Sequence, residues 1–149
     1  MLSTALRLTL VAALLSLAPA EAFAARNVHH LHGGGTASIS QVAMNIAVDE
    51  SGSASGSFEC LMAGRSAFVL GAFGLAHNMI VHATPTAGSV TGSTVTFSGV
   101  GSLILDGHVK MRVHVEVWVS VATQAFQLTV VEVGTLPVET FTSGGVALD

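Results

Sequence analysis

Behind an apolar N-terminus, the chain alternates apolar and polar residues with the two-residue period of a β-strand. The clearest run is "HVKMRVHVEVWVSV", residues 108–121. Val109, Met111, Val113, Val115, Val117, Val119 and Val121 share one face, and His108, Lys110, Arg112, His114, Glu116, Trp118 and Ser120 share the other. Successive strand side chains point to opposite sides, so the run predicts one core face and one solvent face. It is long for one strand, which predicts a bulge or bend within it.

The segment before it, 94–105, is also strand-like, and Asp106-Gly107 between them is a type I′ hairpin signal. Further strands are expected over 36–48, 53–62, 66–75, 78–84, 125–133, 138–141 and 146–148. Gly64, Pro85, Gly88, Gly92, Gly134, Pro137 and Gly144-Gly145 punctuate them. No segment after residue 24 carries a helical period. The expected fold is all-β, a compact antiparallel β-barrel or β-sandwich of about eight strands in one domain over 36–149.

The first residues read differently. Arg7 precedes an apolar run from Leu8 to Ala18, and Ala22-Phe23-Ala24 fits a small-x-small cleavage site. Residues 1–24 are therefore read as a cleaved signal peptide, and the mature protein as secreted or periplasmic. The run is shorter than the roughly 20 residues of a spanning helix, so no membrane span is expected after cleavage. Residues 25–35 form a His/Gly-rich lead-in. Charge is sparse and the net charge is −4, which argues against nucleic acid as a partner. An outer-membrane barrel would need aromatic girdles, and the chain has no Tyr and one Trp.

Candidate chemistry centres on "HHLH", residues 29–32. In an extended chain His30 and His32 lie on one face about 6.6 Å apart, a spacing at which two imidazoles chelate zinc or copper. A third ligand would have to come from another strand, with His114 or Glu116 as candidates. No acid follows the histidines closely, so the cupin pattern does not fit. Cys60, the single cysteine, falls on the apolar side of its strand with Phe58 and Met62, as a buried structural thiol would. Glu59 and Glu116 are a conceivable carboxylate pair of the glycosidase kind. No nucleophile elbow, P-loop or dinucleotide fingerprint is present, which argues against an enzyme.

The segments "GGGTAS" (33–38), "SGSASGSFECLM" (51–62), "TVTFSGVGS" (94–102), "FQLTV" (126–130) and "LPVETFTSGGVAL" (136–148) occur in an order that resembles a class of exported bacterial β-proteins of unknown function, related in pattern to the post-COAP domains of secreted proteins. The resemblance implies a compact barrel or sandwich in which Gly33 to Gly35 start the first strand. It carries no catalytic residue over to this chain.

Three readings follow. The first is a non-catalytic exported module that binds a protein or glycan, or self-associates through an edge strand. The second is a zinc- or copper-binding protein using His30 and His32. The third is a small barrel holding an apolar ligand, with isomerase-like chemistry.

Overall fold

The computed structural model describes residues 27–64 and 66–149. The signal-peptide reading of 1–24 lies outside them. The described chain is a single antiparallel sheet of ten strands, curled around one apolar core like a barrel. The strands are β1 (Val28–Thr36), β2 (Ser40–Asp49), β3 (Ala54–Met62), β4 (Met79–Thr91), β5 (Thr94–Leu105), β6 (His108–Ser120), β7 (Ala125–Val130), β8 (Gly134–Thr135), β9 (Glu139–Thr140) and β10 (Ser143–Leu148). Their order is β10-β1-β2-β3-β4-β5-β6-β7-β8, with β9 also on β7. Among the described residues no helix is long and apolar enough to cross a membrane.

Alternation places the core as expected. Val42, Met44, Ile46 and Val48 of β2 point inward, as do Phe58, Cys60 and Met62 of β3 and Val113, Val115, Val117 and Val119 of β6. Phe58 and Phe97 meet edge to face at 5.6 Å between ring centres. Asp106 and Gly107 both take positive φ (49° and 84°), as a type I′ turn requires. The bulge expected in the long valine strand is present. Leu103 pairs Met111 while Ile104 pairs Val109, so Lys110 is the extra residue.

Five expectations are corrected. Residues 66–75 hold a helix, α1 (Ala67–Phe73), rather than a strand. Ser66 caps it by accepting from Val69 N–H, and Gly74 ends it in the left-handed conformation (φ 72°). The His/Gly stretch is not a lead-in but a complete strand, and the expected strand at 36–48 is divided by a turn at 37–39. Pro85 and Gly88 do not end β4, because the strand continues through a register shift between Pro85 and Ala87. Finally, Val109 and Met111 are exposed, at 67% and 38%. β7 pairs β6 only from Val115 to Ser120, so the start of β6 overhangs the core.

β1 is read easily as a strand once its neighbours are known. It is laddered to β2 on one side and β10 on the other. Gly33 has φ +134°, and a Cβ there would stand 2.2 Å from the carbonyl oxygen of Gly145. Glycine lets the two backbones approach.

The two ends of the sheet are tied by the segment from β9 to β10 and by one side chain. Phe141 N–H donates to Gln124 O, and Thr142 N–H donates to Thr36 O. The Gln124 amide donates to Val146 O (2.9 Å) and accepts from Val146 N–H (2.9 Å). Buried Glu139 of β9 accepts from Ile39 N–H at 2.8 Å and from Ser40 Oγ at 3.0 Å, which fastens the β1–β2 turn.

Candidate functional site

The sequence-derived metal ligands divide between distant strands. Leu31 is fully buried, so His30 and His32 face outward together, as alternation predicts. His32 Nδ1 lies 3.6 Å from Asp149 Oδ2. His114 and Glu116 are on β6, which is not laddered to β1. They do not join the pair. Among the described residues no three His, Cys, Asp or Glu are grouped to hold a metal ion.

Histidines instead meet carboxylates singly. His77 Nδ1 is 2.6 Å from Asp106 Oδ2, and Asn78 N–H donates to Asp106 Oδ1. His114 Nδ1 is 2.7 Å from Glu132 Oε1, and His114 N–H donates to the same carboxylate. His82 Nδ1 is 3.1 Å from Glu59 Oε2. The His77 contact holds Asp106 below its usual carboxylate range, and the His114 contact does the same for Glu132. Each pair links two chain segments at the surface.

Glu59 and Glu116 do not form a carboxylate pair. They lie on β3 and β6, three ladder steps apart at about 4.8 Å each, beyond the reach of paired acid catalysis. Cys60 is buried against Ser40, and burial pushes its thiol up to about 12. It is no nucleophile at neutral pH.

The barrel interior is filled. Phe58, Phe126, Met62, Met79, Leu103 and Leu128 are at most 1% exposed. A void large enough for water would expose the side chains around it, so no chamber for an apolar ligand opens beside them.

Among the concavities of the described surface, one with a chemically mixed lining is on the outer face of β5, β6 and β7. Trp118 stands directly between Thr96 of β5 and Gln127 of β7, and Glu116 stands between Ser98 and Thr129. Trp118 and Gln127 are large, whereas Thr96, Ser98 and the neighbouring Ala87 and Gly88 are small. This step in side-chain size leaves a groove of about 400 Å³. The register shift in β4 brings Ala87 opposite Ser98 at its far side.

Its polar groups are partly fixed. Gln127 Nε2 donates to Leu136 O at 2.9 Å, which orients the amide and leaves Oε1 to accept. Thr129 and Thr135 hydroxyls are 2.9 Å apart, as Ser89 and Thr96 hydroxyls are at 2.8 Å. Among the described residues no Lys, Arg or His lines the groove, and Glu116 is its single ionisable group.

Sequence reasoning put Trp118 on the polar face but did not single it out. The available signal was the chain's one Trp among polar residues on the solvent side of an alternating strand, where a large aromatic ring gains little by staying in water. No protein-family model, curated protein or solved structure matches the chain.

Proposed function

We propose that the chain is an exported, non-catalytic binding module, and that the outer groove around Trp118 is its ligand site. The observation that carries this reading is the groove itself. Its single Trp stands beside a carboxylate, a tethered amide and hydroxyls on three adjacent strands. Its volume falls in the range of small-ligand sites, about 300–1,000 Å³. Strand positions hold these groups in place, so little ordering entropy opposes binding.

The lone ionisable group supports binding over catalysis. The filled interior weighs against an internal ligand, and the separation of His30 and His32 from His114 and Glu116 weighs against a shared metal.

The test is co-sedimentation of the mature protein with the insoluble cell-envelope fraction of its source. The native protein is expected in the pellet and Trp118→Ala in the supernatant, with both folded by circular dichroism. Equal partitioning of the two folded proteins would remove the groove from the account.

A further inference from the structure

We infer that the Trp118 groove takes a neutral glycan chain. This rests on the groove being the ligand site and names the class of ligand.

A pyranose presents a face of C–H bonds, apolar and nearly flat, and a rim of hydroxyls. An indole offers the matching apolar face, with an electron-rich surface toward which C–H bonds point favourably. Trp118 is half-buried and its ladder neighbours are Thr96 and Gln127, so its backbone is set by pairing on both sides before a sugar arrives. The groups next to it suit the rim. Glu116 and Gln127 Oε1 accept from sugar hydroxyls, and the Thr96, Ser98 and Thr129 hydroxyls donate or accept.

Other ligand classes fit less well. An apolar molecule would bury Glu116 and several hydroxyls without replacing their water, which costs affinity for each group left unpaired. An anionic glycan, a phosphate ester or a nucleic acid would meet Glu116 with no cation in the groove, on a chain of net charge −4. The described Lys and Arg, Lys110 and Arg112, lie at the overhanging start of β6, outside the lining. A neutral chain gives the polar groups of the groove partners and meets no like charge. The groove lies open on the outer sheet face, so a polymer has room to continue past it.

The chain carries its own reporter. It has one Trp and no Tyr, so its near-ultraviolet emission comes from Trp118 alone. The experiment titrates the mature protein with hexasaccharides of β-1,4-linked glucose, xylose and N-acetylglucosamine, and with hexagalacturonate as the anionic counterpart. Emission and calorimetry are read in parallel.

At least one neutral hexasaccharide is expected to change the emission saturably, with hexagalacturonate silent. By calorimetry, Trp118→Ala should weaken that binding about tenfold or more, while Trp118→Phe keeps part of it. Glu116→Gln separates the charge argument from the stacking argument. It should leave stacking in place and reduce the discrimination against hexagalacturonate.

Silence toward all three neutral chains by a folded protein, or tighter binding of hexagalacturonate, overturns the inference. Competition for the envelope fraction and its pretreatment show which claim has failed. If Trp118-dependent sedimentation is unaffected by an excess of each soluble neutral hexasaccharide and is abolished by protease treatment of the fraction, the groove binds a protein and the glycan assignment is wrong. If sedimentation never depended on Trp118, the groove reading falls as well.

Discussion

The side-chain amide of Gln124 bonds the backbone of Val146 in both directions. Nε2 donates to the carbonyl and Oε1 accepts from the N–H, each at 2.9 Å. A glutamine thus does at the seam what a strand's peptide group does elsewhere in the sheet, and joins the end of the β6–β7 turn to β10. Gln124 itself sits at φ 52°, a conformation that costs a side-chain-bearing residue some energy. Two hydrogen bonds across the seam offset it.

Gln124→Ala therefore keeps the strained backbone and loses both bonds, and should destabilise the protein by about 1–3 kcal/mol. Gln124→Gly relieves the backbone and should cost less than Ala if strain matters at this site. Chemical denaturation of the three proteins gives both numbers. Equal stability of native and Ala forms would mean the seam is held without the amide.

Gly33→Ala should be far more damaging. The added methyl carbon would lie 2.2 Å from the Gly145 carbonyl oxygen, inside a ladder that fixes both backbones. A loss of about 3 kcal/mol or more, or failure to fold, is expected. Gly71→Ala on α1, where nothing lies within 4 Å of the new carbon, is the control and should be neutral or mildly stabilising. A melting temperature for each variant settles the contrast.

Acid should loosen the fold at two surface pairs. His77 lowers the Asp106 carboxyl from its ordinary 3.8, and His114 lowers Glu132 from its ordinary 4.5. For a carboxyl depressed by folding, the stabilisation is present above the ordinary value. It disappears as pH falls through the lower folded-state value. Melting temperature should therefore decline on acidification below about pH 4, and less steeply in an Asp106→Asn/Glu132→Gln variant. Parallel pH profiles for the two proteins would show that the pairs contribute nothing. Both carboxylates are solvent-exposed, so added salt should shrink the difference.

Cys60 should be silent to thiol reagents in the native protein. Its thiol is buried and pushed up to about 12, chiefly by burial, so almost no thiolate is present at pH 8. One equivalent should react after denaturation in guanidinium. Rapid reaction of the native protein at pH 8 would mean that β3 opens readily.

The sequence showed most of the sheet because alternation reports which face a residue takes, and β2, β3, β5 and β6 keep that period through the core. The Asp106-Gly107 turn was legible because few residue pairs accept positive φ twice. Helix α1 was hidden. Its "AFVLGAF" is too short and too apolar to show a helical period, and Ser66 and Gly74 act as caps only in retrospect. β1 was hidden because glycine and histidine are poor strand signals, whereas ladders on both sides hold the backbone whatever the side chains prefer. Exposure of Val109 and Met111 followed from the shortness of β7, a relation between strands that no single segment records.

The candidate site was legible only in part. The sequence placed His30 and His32 on one face and Trp118 among polar neighbours. It did not show that His114 stays out of any metal-binding group with the histidine pair, or that small residues on β4 and β5 hollow out the surface beside Trp118. Both depend on strand order and register.

The most direct test of the central claim is acrylamide quenching of Trp118 emission, free and in the presence of a soluble envelope extract that binds the protein by gel filtration. The groove account predicts ready quenching of the free protein and strong protection in the bound state. Binding that leaves the quenching unchanged would place the ligand elsewhere on the molecule and contradict the account.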